Sequence, residues 1–334
     1  MKIVVYHKKE YTGTGLYRLH FPHELMAKWG HHITFTDTTD IDDCDILICS
    51  KAWFKPIMDV LPDLKKRGIV TIIDFDDYWN LHHGHLLEAN YKHHKTSFVL
   101  VDAIREFDYV TCTTEILRKE IKPLNKNVEV FENAIDENDP QFLRSNVPSD
   151  NVRFGWIGGH CHLPDIKLLD GTPQKLQGNF SISLFGHDQV SGGVYDYFAK
   201  ILSGEGKLIP DKFFVYNQAK ARQYTRYYNY IDVALVPLVG NHFNSMKSEL
   251  KIVEAGMMRK ACVVSNVEPY RSLLTDSNCL KVSVKPHWKK RMQKLINNPA
   301  LVEDLGEAMY ETVKDKFDLI TVTRRREQWY KTLI

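Results

Sequence analysis

The sequence predicts an α/β protein built from two Rossmann-like halves facing across a cleft, and three observations predict it. Short apolar runs alternate with helical patterns through the first half of the chain. A polar stretch at residues 135–150, containing Pro140 and Pro148, interrupts the alternation. A second alternating series then begins at Val152. A chain of 334 residues is long enough for two such domains with separate cores, which we place at 1–148 and 149–316.

In the first half, the β-like runs lie at 2–6, 33–36, 45–49, 70–74, 109–113 and 128–131, with helices near 16–29, 54–66, 98–107 and 115–121. Alternation of this kind argues for a parallel sheet covered by helices. The second half has strand-like runs at 152–157, 182–185, 213–216, 233–236, 261–265 and 279–282. Residues 321–333 form a closing amphipathic helix, and no internal repeat or low-complexity segment is present.

Hydrophobic residues make up 43% and charged residues 26%, the balance of a soluble globular protein. No apolar run approaches the roughly 18 residues that span a bilayer, so any membrane attachment is expected to be peripheral, at the inner face. The N-terminus runs directly into a β-like segment without the pattern of a signal peptide. Cys44, Cys49, Cys112, Cys161, Cys262 and Cys279 form no C-x-x-C pair, which fits reduced thiols in a cytoplasmic protein. A net charge of +2 argues against a dedicated nucleic-acid binder. The basic cluster at 285–294, with Trp288 and Met292 among its cations, suits a solvated helix face or an anionic lipid or acceptor surface.

The most informative segment is 244–256, followed by the apolar run 261–265. It reads as a helix leading into a buried strand. Leu250, Val253 and Met257 recur at helical spacing, while Lys247, Lys251 and Glu254 fall at i, i+4 and i+7 on a polar face. The strand 231–238 ends in a proline turn at Pro237-Leu238, and a polar loop at 240–244 enters the helix, so its N-terminus is expected at the carboxyl end of a strand, where open α/β sheets bind ligands. Backbone N–H groups with Lys247 and Lys251 would hold a phosphate, and Glu254 would accept hydrogen bonds from vicinal sugar hydroxyls.

This segment resembles the Lys-Ser-x-Leu-Lys-x-x-Glu pattern of retaining glycosyltransferases of family 4, which have the two-domain GT-B architecture; Lys247, Ser248, Leu250, Lys251 and Glu254 match it in place. The resemblance implies that Glu254 binds the ribose of a nucleoside diphosphate sugar, UDP- or GDP-linked, and that the last helix, 317–334, crosses back to the N-terminal domain. It also implies front-face attack by the acceptor, with the leaving phosphate taking the proton. The commoner family pattern has a second glutamate eight positions before Glu254, where this chain has Met246. Gly158, His162 and Asp165 match the family's Gly-x-x-x-His-x-x-Asp segment, which would line the donor side together with Gly159.

Gly13-Thr14-Gly15 lies between the first strand and a helix, where a backbone free of Cβ atoms would approach phosphates or the acceptor; a simple tight turn is the alternative. Tyr17 and Arg18 would then face the cleft on the acceptor side. Asp74-Phe75-Asp76-Asp77 contains a D-x-D pair that suits Mg²⁺ or Mn²⁺ in the other major transferase fold. It lies in the wrong half for that role; sugar transferases that this chain resembles often have an Asp-x-Asp-Asp stretch here, in the acceptor half, and the resemblance implies that Asp76 and Asp77 orient an acceptor hydroxyl or contact the donor sugar, with a helix N-cap as the structural alternative for one of them. His82, His83, His85, His93 and His94 fit no compact metal-ligand spacing; His82 is expected near the acceptor. His160-Cys161-His162 is equally poor as a metal motif.

The expected function is retaining transfer of a hexose from a nucleotide sugar to a hydroxyl acceptor, a carbohydrate or lipid-linked glycan, in surface polysaccharide or glycoconjugate synthesis. Lys247, Lys251 and Asp77 are the catalytic candidates. The donor-binding candidates are Gly13, Gly15, Gly158, Gly159, His162, Pro237, Leu238, Asn244, Lys247, Ser248, Glu249, Leu250, Lys251 and Glu254. No cofactor and no metal are expected. A nucleotide-sugar epimerase, a non-catalytic nucleotide-sugar-binding protein and a DNA-modifying sugar transferase remain alternatives, the last needing a basic groove that the net charge does not suggest.

Overall fold

The computed structural model describes residues 1–7, 13–145, 147–188, 192–208 and 211–334. Residue 146, inside the expected linker, lies outside the described residues. The chain divides into two compact units, one of Met1–Ile135, Asn241–Ser248 and Phe317–Ile334, the other of Asp136–Gly240 and Glu249–Lys316.

The first unit is built on β1 (Lys2–Tyr6), β2 (His32–Thr36), β3 (Ile46–Ser50), β4 (Val70–Phe75), β5 (Tyr109–Cys112) and β6 (Val128–Val130), in the order β2-β1-β3-β4-β5-β6. Every pairing is parallel. All five residues of β3 are buried, as expected of a strand covered on both faces. Helix Lys55–Lys66 follows it and buries Ile57, Leu61 and Leu64, a stripe at i, i+4 and i+7. Because β1 sits between β2 and β3, the direction of winding reverses between β1 and β3. The carboxyl ends of those two strands therefore form the kind of position at which open α/β sheets bind ligands.

After β1 the chain enters Gly13–Gly15, then a π-helical turn, Leu16–His20, then helix Phe21–Lys28. The π turn buries all five of its residues, so Tyr17 and Arg18, expected to face the cleft, are buried here.

The C-terminal helix Leu319–Lys331 packs on Phe21–Lys28 of this same unit. Asp318 caps it by accepting from Thr321 N at 2.7 Å, and Tyr330 is fully buried among Ile3, Val5, Ile46 and Ile72. His23 Nδ1 lies 2.6 Å from the Leu19 carbonyl and His23 Nε2 lies 3.1 Å from the Tyr330 hydroxyl. A neutral imidazole satisfies both contacts, donating to the carbonyl and accepting from the phenol. Burial, then the nearby Arg326 charge, pushes the His23 pKa down to about 3.

A pH dependence follows from that depressed value. In the unfolded chain His23 takes up a proton near its ordinary pKa of about 6.5, whereas in the folded chain it resists down to about 3. The stabilisation is complete above about 6.5 and is lost progressively as pH falls toward about 3. Urea titrations of wild type and His23→Gln across that window should show a shallower acid-side loss in the variant; parallel curves would remove His23 as the cause.

The second unit contains β7 (Val152–Ile157), β8 (Phe180–His187), β9 (Phe213–Asn217), β10 (Val233–Val236), β11 (Ala261–Ser265) and β12 (Leu280–Val282), ordered β12-β11-β10-β7-β8-β9 and again parallel throughout. Winding reverses here between β7 and β10. Helices Gly192–Leu202, Leu250–Met257, Pro286–Asn297 and Ala300–Val313 accompany the sheet. Trp288 and Met292 are core residues of helix Pro286–Asn297, while Lys285, Lys289, Lys290 and Lys294 are exposed. The basic cluster is therefore a solvated face, and its two large apolar residues are not available to a lipid surface.

Residues Asn241–Ser248, expected within the second domain, pack in the first unit. Met246 is buried in that unit's core, and the Ser248 hydroxyl accepts from Asn133 Nδ2 at 2.8 Å. The segment forms a short helix, His242–Ser245, capped by Asn241, and a separate helix begins at Leu250. Lys247 thus precedes the second helix. It does not share a helical face with Lys251 and Glu254.

Candidate functional site

Each sheet carries a polar cluster at the carboxyl ends of its strands. In the first unit the cluster rests on a buried ion pair. Arg18 Nε and Nη2 donate to the two oxygens of Asp74 at 3.0 and 2.7 Å, and Arg18 Nη1 donates to the Phe131 carbonyl. The Thr111 hydroxyl adds a 2.5 Å bond to Asp74 Oδ1. Burial alone would lower the Arg18 pKa, but Asp74 outweighs it and raises the value. Arg18 is committed to holding β4 in place, which is why it presents nothing to an acceptor.

Above this pair, Asp76 and Asp77 share one cation that the sequence did not single out. Lys51 Nζ, on the residue directly after β3, lies 2.9 Å from Asp76 Oδ1 and is ion-paired with Asp77 as well. Asp76 Oδ2 accepts from the Thr14 hydroxyl at 2.9 Å, and the Asp76 carbonyl accepts from Thr113 at 3.2 Å. Three loops, after β1, β3 and β5, are thereby tied to the turn after β4. Burial pushes the Asp76 carboxyl up, yet Lys51 and Thr14 hold it below the usual carboxylate range. Gly13 opens the Thr14 turn, and an added Cβ there would meet nothing within 4 Å, so packing does not demand a glycine. Gly15 is buried.

His82 packs edge-on to Phe243, 5.6 Å between centroids, and His242 meets Tyr78 at 4.9 Å. Lys247 Nζ lies 4.8 Å from the Phe243 ring centroid. Asn244 is buried, its N–H donating to the Asn241 side chain at 2.8 Å. Among the described residues no group of three or more metal-ligating side chains is poised around a common point.

In the second unit, β7 ends at Gly158-Gly159 and a short 3₁₀ turn, His160–His162, leads into Leu163–Ile166. His162 Nδ1 is 2.7 Å from Asp165 Oδ2, and Asp165 Oδ1 accepts from Val239 N at 2.8 Å. One buried carboxylate therefore joins the loop after β7 to the loop after β10, across the reversal point of the sheet. Lys251 Nζ sits 5.2 Å from the centroid of the Trp156 ring. A Cβ added to Gly158 would lie 2.7 Å from that ring and 3.0 Å from Lys251 Nζ. The bare backbone at Gly158 is what leaves room for the ammonium beside the strand end.

Glu254 is 3% exposed and accepts from the hydroxyls of Tyr224 and Tyr228, the latter at 3.1 Å. It does not lie on a solvated polar face, as its spacing with Lys251 suggested. Neither tyrosine was singled out, although the tyrosine-rich run 224–230 is the local signal for them. Burial, then the Glu254 charge, pushes the Tyr228 phenol well up, so it remains a donor. Pro237 and Leu238 are buried, with the Leu238 N–H donating to Ser265 Oγ at 2.9 Å. They follow the last residue of β10, where the donor candidates were expected, and both side chains are buried. Glu249 is buried and Leu250 half-buried at the start of the following helix.

No protein-family model matches the chain. The curated proteins give no match either. Solved structures do. A sucrose-phosphate synthase from Thermosynechococcus elongatus superposes with a TM-score of 0.74 at 14% identity, covering 100% of this chain and 99% of that one. A glycosyltransferase from Rickettsia africae gives 0.72 at 14% identity, with coverage of 99% and 98%. HepE from Anabaena, in a structure with UDP and glucose, gives 0.72 at 11% identity, with coverage of 99% and 100%. With its two six-stranded parallel sheets and a final helix returned to the first unit, the chain has the GT-B fold of these glycosyltransferase structures.

Proposed function

We propose that this protein is a retaining glycosyltransferase that moves a hexose or related sugar from a nucleoside diphosphate to a hydroxyl acceptor, a carbohydrate or lipid-linked glycan of surface polysaccharide or glycoconjugate synthesis. The observation that carries the reading is the Lys251 ammonium beside the bare Gly158 backbone at the reversal point of the second sheet, with buried Glu254 one turn further along the same helix. The HepE structure with UDP and glucose on a similar fold supports a nucleotide-sugar donor.

In this reading Gly158, Gly159, His162 and Lys251 receive the diphosphate and sugar, and Glu254 receives the ribose. Tyr224 and Tyr228 hold the Glu254 carboxylate until ribose hydroxyls join or replace one of them. As the anomeric C–O bond breaks, negative charge grows on the leaving diphosphate. Lys251 stabilises that charge more in the transition state than in the ground state. The acceptor oxygen bonds to the anomeric carbon on the face the phosphate leaves, and its proton passes to the departing phosphate oxygen. Products are the glycoside and a nucleoside diphosphate. Asp77 and Asp76 orient the acceptor hydroxyl near His82.

The reaction is proposed to be metal-independent, because each carboxylate of the D-x-D pair already has a cationic partner, Arg18 for Asp74 and Lys51 for Asp76. Calorimetric titration with a panel of UDP-, GDP-, ADP- and TDP-sugars, with and without excess chelator, tests both points. We expect saturable binding of one donor class, unchanged by chelator. Binding that appears only when Mn²⁺ or Mg²⁺ is restored would contradict the metal-free reading, and no binding to any member would contradict the donor itself.

A further inference from the structure

We propose that Lys51 is a positioning residue for transfer, holding the Asp76 and Asp77 carboxylates as one acceptor-orienting pair at the reversal point of the first sheet; this rests on the glycosyltransferase reading above. Three observations converge on it. Lys51 is the first residue beyond β3, and β3 borders both β1 and β4. The side chains of Lys51, Asp76 and Asp77 are 14%, 20% and 23% exposed, so the cluster is half-sunk but reachable. The same ammonium also donates to the Asp77 carbonyl at 3.3 Å, which fixes the backbone of the turn as well as its carboxylates.

A structural salt bridge would need one carboxylate. Here one cation binds two adjacent ones, Thr14 supplies a further donor to Asp76 Oδ2, and Thr113 anchors the Asp76 carbonyl. The arrangement fixes two acceptor-only groups while leaving part of each exposed, the requirement for receiving a hydroxyl hydrogen bond in a defined direction. Two carboxylates this close repel, and the shared ammonium offsets that repulsion.

Among the described residues, the charged and titratable groups around Lys51 and Asp76 include Asp77, Asp74, Arg18, Lys247 and Tyr91. Burial lowers the Lys51 pKa and Lys247 lowers it further, while Asp76 and Asp74 oppose them. Asp76 is held below its ordinary range, so removing the ammonium should raise the pH at which Asp76 gains its proton. An acid limb of the transfer rate that reports this carboxylate should move upward with it.

The test compares wild type, Lys51→Met and Lys51→Arg by carboxyl-carbon NMR titration of Asp76 and Asp77, donor calorimetry, and the pH profile of transfer. For Lys51→Met we expect an upward shift of the Asp76 midpoint, donor affinity within about twofold of wild type, and kcat lowered about tenfold or more with the acid limb displaced upward. Lys51→Arg should recover most of the rate, because it returns the cation. Unchanged transfer in Lys51→Met, or donor affinity falling in step with the rate, would overturn the assignment. So would unchanged carboxyl titrations. Failure of the underlying reading is distinguishable, since wild type itself would then bind no nucleotide sugar and transfer nothing.

Discussion

Asp74→Ala is expected to weaken the first unit by about 3–5 kcal/mol, because it strips the countercharge from a fully buried guanidinium. Arg18 and Asp74 both have side chains at 0% exposure, and two of the four hydrogen bonds made by the guanidinium end on this carboxylate. The alanine also orphans the Thr111 hydroxyl. Native-state hydrogen exchange of the β1, β3 and β4 amides reports this unit without interference from the other. Replacing both partners, Arg18→Met with Asp74→Leu, should cost less than Asp74→Ala, because no isolated charge remains buried. A loss below about 1 kcal/mol in Asp74→Ala would mean that water reaches Arg18.

Lys251→Ala is expected to lower the transfer rate by about 10²–10³-fold, the scale for removing one preorganised group aimed at developing charge. Donor affinity should fall as well, by a smaller factor, since the ammonium meets the diphosphate in both the ground and transition states. Gly158 and Trp156 keep their backbone positions without it, so the fold should survive. Near-wild-type turnover in a folded variant would remove Lys251 from the leaving-group site.

The strands were legible where parallel pairing covers both faces. β10 and β11 are continuous apolar runs, Val233–Val236 and Ala261–Ser265, and the sequence marks them to the residue. β8 extends over Phe180–His187, beyond the expected 182–185, because Ser181 and Gly186 mask its ends, Ser181 being paired in the sheet and Gly186 lying at the register shift with β9. The π turn was not legible. A change of helical pitch leaves no mark in composition, and neither does the burial of Tyr17 and Arg18, which were expected to face the cleft.

The same limit governs the site. Gly158, His162 and Lys251 sit on one local motif or one helix, and their types announce a chemistry. Lys51 owes its meaning to the adjacency of β3 and β4, which only the strand order supplies. Tyr224 and Tyr228 reach Glu254 from 30 and 26 positions away, beyond any helical or strand period. Lys247 illustrates the opposite error. Its spacing from Lys251 suggested a shared face, but the chain breaks at Met246, whose apolar side chain is drawn into the first unit's core.

In the proposed reaction a sugar leaves a nucleoside diphosphate and reappears on an acceptor oxygen with its configuration kept. Proton NMR of the purified chain incubated with the donor selected by calorimetry and a panel of glycan and lipid-linked acceptors measures this directly. One nucleoside diphosphate should be released for each glycoside formed, with the anomeric coupling constant of the product matching that of the donor. An inverted anomer, or an epimerised nucleotide sugar formed without release of nucleoside diphosphate, would contradict it.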